Sequence, residues 1–145
     1  MYRRSVRQFA PAAVAVLFTS LTVSCATTAP ATPVVVLPNG YVVQPDKQEQ
    51  SQIVKRGGRI VVPAPIAAYA TSGDVVTGAL GPVPPTALPG VDQAYHGGPD
   101  TRYFVLDTAH GKLDSNLDAM QWHERLKALG VPSDLEIYPP LPWNQ

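Results

Sequence analysis

Short apolar runs separated by turn residues fill most of this chain, and their spacing predicts strands before anything else. Val34-Val35-Val36-Leu37 faces Tyr41-Val42-Val43 across Pro38-Asn39-Gly40. Asn and Gly accept the positive φ that a tight hairpin needs. Ile53-Val54 and Arg59-Ile60-Val61-Val62 flank Lys55-Arg56-Gly57-Gly58, a second hairpin with a Gly-Gly turn. Pro63 and Pro65 end it. Ile66-Ala67-Ala68-Tyr69-Ala70 then turns through Thr71-Ser72-Gly73-Asp74 into Val75-Val76-Thr77, a third hairpin. Tyr103-Phe104-Val105-Leu106 is a further short strand, Asp107 to Gly111 a turn, and Leu135-Glu136-Ile137-Tyr138 a candidate last strand.

One stretch changes period. Ala119, Trp122, Leu126 and Leu129 recur at spacings of three, four and three, which places them on one face of a helix. The pattern predicts a helix over Ser115–Leu129, capped by Asp114 or Ser115, with Asp118 three residues after Ser115 as in a capping box. Gly130 and Pro132 end it. Together these elements predict a small α+β domain. A mostly antiparallel sheet of five to seven short strands carries one C-terminal helix, with Trp122 as the plug between them.

Composition marks what is not sheet or helix. The chain has 145 residues and 16 prolines, about double ordinary usage. Residues 79–102 form a Pro/Gly-rich linker with little apolar period. It is either an ordered excursion over the surface or a mobile connection. Residues 33–78 form the hairpin region, and residues 103–145 complete the same domain as strand, helix and strand. Residues 25–32 are small, polar and proline-broken, as a flexible tether is.

The N-terminal segment has its own grammar. Arg3, Arg4 and Arg7 form a positive head, no acidic residue occurs before Asp46, and an apolar run extends from Phe9 to Val23. Charge, short apolar core and small residues in that order are the marks of a secretory signal. The run ends at Leu21-Thr22-Val23-Ser24-Cys25, and Cys25 is the sole cysteine. This resembles the signal of bacterial lipoproteins, over Met1 to about Thr28. Ser24 supplies the small residue before the cysteine, while Thr22 stands where leucine is preferred. The resemblance implies removal of residues 1–24. It also implies that Cys25 becomes the mature N-terminus, with a diacylglyceryl group on its sulfur and an acyl chain, such as palmitate, on its amine. Ala26 after the cysteine implies, by the same likeness, an outer-membrane anchor with the body in the periplasm. Three other readings compete: an uncleaved membrane helix, an ordinary signal cut near Ala26 or Ala31, and a twin-arginine signal led by Arg3-Arg4. Against the first, the apolar run is 15 residues, and spanning takes roughly 20.

Charge narrows the partners. From Cys25 onward the chain has 121 residues, with 8 basic against 11 acidic, a net charge of −3. That argues against nucleic acid, which needs a basic face. With no cysteine besides Cys25, the body has no internal disulfide and no thiolate metal site.

The residues that suggest chemistry form no coherent set. His96, His110 and His123, with Asp100, Asp107 or Asp114, are candidate metal ligands, but the histidines stand 14 and 13 apart, wider than zinc motifs. Asp107, Asp114 and Asp118 lack the Asp-x-Asp-x-Asp-Gly order of a calcium loop. Lys55-Arg56-Gly57-Gly58-Arg59 is a basic turn that is either a phosphate contact or a solvated tip. Tyr69, Tyr103, Phe104, Trp122 and Tyr138 fit core positions before any binding platform. Residues from Ala109 to Pro139 resemble the closing segment of α/β-hydrolases, which implies a catalytic role for Asp114. The matching histidine, due near Pro142-Trp143, is missing, and no Gly-x-Ser-x-Gly elbow occurs. The sequence therefore assigns no catalytic, cofactor-binding or metal-ligating residue, and lipidation of Cys25 is its one site. It points to a non-catalytic envelope lipoprotein, held to the membrane through Cys25, that meets another envelope protein through an edge or loop. The alternative is a small periplasmic ligand-binding or hydrolytic domain, with a pocket gathering His110, Asp107, Asp114 or Tyr103. A mainly unfolded spacer is the third possibility.

Overall fold

Proline and glycine punctuation decides where each strand turns. The computed structural model describes residues 34–83 and 93–140; the signal segment, Cys25, the tether, residues 84–92 and the last five residues lie outside them. Strands β1 (Val35–Val36), β2 (Tyr41–Pro45), β3 (Ser51–Lys55) and β4 (Arg59–Val62) form one antiparallel sheet in that order. Pro38–Gly40 makes a 3-10 turn between β1 and β2, with Asn39 at φ 56° and Gly40 at φ 78°. Asn and Gly are the residues that reach this left-handed region most readily. The Asp46 carboxylate accepts from the backbone N–H groups of Gln48 and Gln50 and so closes the β2–β3 turn.

β5 (Ile66–Ser72), β6 (Val75–Leu80), β7 (Arg102–Asp107) and β8 (Lys112–Leu117) form a second antiparallel sheet, again in chain order. The expected single sheet is thus two. Pro63 and Pro65 offer no N–H to a neighbouring strand, so the β4 ladder ends at Val62 and the chain crosses to start again at Ile66. The α+β class, with antiparallel short strands and a C-terminal helix packed on a sheet, is the observed one.

The second sheet is the middle layer. On one side Val76, Phe104 and Leu106 meet Tyr41, Val43 and Ile53 of the first sheet. On the other side Val75, Ala79, Tyr103 and Val105 meet Trp122 and Leu126 of the helix. Both faces are therefore covered, which is why Val75–Ala79 and Tyr103–Leu106 are buried throughout. In the first sheet β2 alternates between buried and half-buried residues, whereas Ser51–Val54 of β3 are buried throughout.

The helix, α1, spans Ala119–Ala128, four residues shorter at its start than the periodicity predicts. Residues Lys112–Leu117 instead pair with β7. Leu113 and Leu117 are four apart, a spacing that suits a helix face and a strand face alike. Pairing with β7 decides between them. Asp118 is the N-cap: it accepts the Gln121 N–H at 2.9 Å, and Gln121 accepts the Asp118 N–H at 3.1 Å. This is a capping box one turn later than expected. At the other end Val131 N–H donates to Leu126 O at 3.0 Å, Gly130 N–H donates to Lys127 O at 3.1 Å, and Gly130 has φ 69°. That is a Schellman motif, completed by packing of Val131 with Leu126 in the same core.

The expected strand Leu135–Tyr138 shrinks to a bridge between Tyr138 and Tyr69. Ile137 turns its carbonyl to Tyr95 N–H instead, at 2.8 Å. The described part of the Pro/Gly-rich stretch thus has a place. Gly97 lies against Tyr103 so closely that a Cβ would overlap the phenol oxygen.

A polar chain crosses the middle layer. The Thr77 hydroxyl donates to Phe104 O at 2.7 Å and accepts the Trp122 indole N–H at 2.6 Å. Trp122 stacks on Tyr103 with ring centroids 4.4 Å apart. Thr77→Val keeps the shape and leaves the indole N–H buried without an acceptor. The expected loss is about 1–3 kcal/mol, read as a lower midpoint in urea unfolding with unchanged slope. Gly78→Ala puts a methyl into the Ala68 carbonyl and the Phe104 ring. The expected loss exceeds the roughly 1–3 kcal/mol usual for overpacking, because backbone must move. Circular dichroism of the purified variant checks it, and a native-like melting temperature would contradict this packing.

Candidate functional site

Four turns meet at one end of the molecule. Asn39, in the β1–β2 turn, donates from its side-chain amide to Asp74 Oδ1 at 2.9 Å and to Thr108 Oγ1 at 2.8 Å. Thr108 donates its hydroxyl to Asp74 O at 2.6 Å and is itself buried. One side chain thereby ties the first sheet to the β5–β6 and β7–β8 turns of the second. Arg56 N–H donates to Gly40 O at 2.8 Å, which brings in the β3–β4 turn.

The basic turn lies here. Lys55 holds its ammonium 5.4 Å above the Tyr41 ring, and Arg56, Gly57, Gly58 and Arg59 are exposed. Asp74 and Asp107 sit on neighbouring turns, so this end carries both signs of charge rather than a cationic cradle for phosphate.

Asp107 and His110 form a pair across the β7–β8 turn. His110 Nδ1 is 2.7 Å from Asp107 Oδ2, and His110 N–H donates to Asp107 Oδ1 at 3.1 Å. The imidazole bond, then the backbone bond, hold the Asp107 carboxyl below its ordinary range. No hydroxyl or thiol nucleophile is bonded to this imidazole among the described residues.

The other candidates lie apart. Asp114 faces Arg125 of α1, with Oδ2 2.6 Å from Nε and both atoms shut off from solvent. Asp118 caps the helix. His123 is exposed and leans on the Trp122 ring at 4.8 Å, and His96 and Asp100 are exposed in the segment before β7. Among the described residues no three His, Cys, Asp or Glu side chains gather at metal-binding distance. The pocket expected from His110, Asp107, Asp114 and Tyr103 is not assembled: two of them meet each other, one meets Arg125, and Tyr103 stacks in the core. Of the aromatic residues read as core, Tyr103, Phe104 and Trp122 are buried, Tyr69 is half-buried and Tyr138 is exposed at the rim.

Asp114 and Arg125 instead belong to an open groove of about 380 Å³ between β8 and α1, bordered also by Lys112, Leu117, Gln121 and Glu124. No pattern along the chain signals this pairing, since the two residues are 11 apart in different elements. The likeness to α/β-hydrolases fails at the same point: Asp114 supports an arginine, on an antiparallel sheet.

His110→Ala removes the largest of the interactions that lower the Asp107 carboxyl, its bond to the imidazole. The expected outcome is an upward shift of its titration midpoint, followed by carboxyl carbon NMR, stopping short of the free value because the backbone bond stays. A carboxyl depressed in the fold favours folding above its ordinary range and loses that contribution as pH falls through its folded value. The wild type should therefore keep an advantage over His110→Ala near neutral pH that fades in acid. Among the described residues no helix is long and apolar enough to cross a membrane. Compared with protein-family models, curated proteins and solved structures, the chain matches none.

Proposed function

We propose that this chain is a bacterial envelope lipoprotein whose small domain is a structural or interaction component without catalysis of its own. The observation that carries the reading is the placement of the sole cysteine, Cys25, at the end of a positive head and a short apolar run, directly after Ser24. A thiolate there is a competent nucleophile for a lipid donor. Each acyl methylene buried in the bilayer adds about 0.8 kcal/mol, and stable anchoring takes more than one chain. Ala26 directs the anchor to the outer membrane, with the domain in the periplasm.

The body suits a presented surface. Its charged side chains are engaged in separate local duties: Asp118 in a cap, Asp107 with His110, Asp114 with Arg125. Its two sheets end in edge strands, and addition of a partner strand to such an edge is a recognised mode of protein contact. The partner is another envelope protein or a further copy of this one.

Mass spectrometry of the protein from washed envelopes tests the anchor. The expected species begins at residue 25 and carries diacylglycerol and one further acyl chain. Cys25→Ser should remain a longer, unlipidated precursor and leave the outer-membrane fraction. A free, unmodified Cys25 in a protein that retains residues 1–24 would refute the reading.

A further inference from the structure

The charges at the end where the four turns meet are not evenly used. Asp107 stands opposite Lys112 in the register of β7 with β8 and holds His110. Asp74 accepts the Asn39 amide. The β3–β4 turn has no such arrangement. Lys55, Arg56 and Arg59 are exposed, and none of them has an ion-pair partner among the described residues. Lys55 and Arg59 are direct cross-strand partners, and like charges in that position repel. The Tyr41 ring under the Lys55 ammonium attracts it without neutralising it. Four cations at this end, Lys55, Arg56, Arg59 and Lys112, stand against two carboxylates, Asp74 and Asp107, a net charge of +2. Over the remaining described residues four cations stand against eight carboxylates, a net charge of −4. The molecule is thus polarised, and the cations left without a counter-charge sit on one hairpin tip.

We propose that this tip, Lys55–Arg59, docks an acidic peptide segment of the partner protein. This rests on the interaction reading above and names its surface. Patches of opposite charge steer two proteins together and fix their register. A carboxylate set between Lys55 and Arg59 relieves their repulsion. Gly57 and Gly58 stand between the cations, and nothing lies within 4 Å of where a Cβ on either would be. A partner's backbone can therefore come close. Carboxylates spaced along a peptide suit cations spread over an open tip better than one compact phosphate does. An anionic leaflet is the other surface that attracts clustered cations. β1 runs toward the tip, with Val35 level with Ile53 and Lys55 beyond it. The chain from Cys25 thus enters the sheet from the side away from the tip, and this placement favours the peptide.

The test is binding of a fluorescent oligoglutamate peptide to the protein purified from envelopes in neutral detergent, followed by anisotropy, with oligoglutamine as the blank. The expected result is saturable binding at about 0.1 M salt that is largely lost near 1 M, where the screening length falls to about 3 Å. Arg56→Gln with Arg59→Gln should weaken binding at least about fivefold. Lys47→Gln with Arg102→Gln removes the same charge from exposed positions elsewhere and should change it less than about twofold. The tip variant should melt no lower than wild type, because it removes a repulsion and no bond, and this separates a lost contact from a lost fold. No saturable binding of oligoglutamate, or an equal loss from both double variants, would overturn the proposal. Displacement of the peptide by glycerol phosphate at an equal concentration of charge would overturn it in favour of a lipid headgroup. Mass spectrometry of the same preparation reads Cys25 separately: an unlipidated chain overturns the anchor, while tip-dependent peptide binding still supports the docking surface.

Discussion

The helix and the middle layer of this protein meet through one hydroxyl. Thr77 lies in a sheet buried on both faces, where any polar atom must find its partner inside the protein. It donates to the Phe104 carbonyl and receives the Trp122 indole N–H, so one oxygen joins β6, β7 and α1. The stack of Trp122 on Tyr103 then fixes the rotation of the helix. That rotation puts Leu126 into the core and Arg125 against Asp114. The body after Cys25 has no further cysteine, and no covalent staple can replace this arrangement.

The same middle layer explains which parts of the fold were legible in the sequence. The turns at Pro38-Asn39-Gly40, Gly57-Gly58 and Gly73-Asp74 were visible because they depend on the local backbone freedom of Gly and Asn. The helix end was visible for the same reason, since Gly130 takes the left-handed position of the motif. The helix start was not. Ser115 and Asp118 are both competent caps, and Leu113 with Leu117 satisfies either period. Only β7, several residues upstream and across a turn, selects the strand. The split into two sheets was also hidden. It follows from the proline pair at 63 and 65 together with a second apolar face on β6 and β7, and no local window contains both.

The candidate site divides along the same line. Asp107 and His110 are three residues apart within one turn, and their contact is a local event. Asp114 and Arg125 meet only after β8 and α1 are docked, and the spacing of acidic residues along the chain does not announce that pair. The three aspartates at 107, 114 and 118 look like a cluster in the sequence. In the fold one holds an imidazole, one an arginine and one a helix end.

The clasp of Asn39 on Asp74 and Thr108 links this architecture to the surface the protein presents. β1 contributes two residues to its sheet and is bonded there to β2 alone. Backbone pairing of that length is weak, and a two-stranded ribbon is marginal without further packing. What steadies it is the turn that follows: Leu37 enters the core between the sheets, and Asn39 grips the turns of the second sheet from the next position but one. The left-handed backbone at Asn39 aims the amide at both acceptors, so conformation and contact depend on each other. An uncharged valine edge is thus held in place from one end by a polar lock.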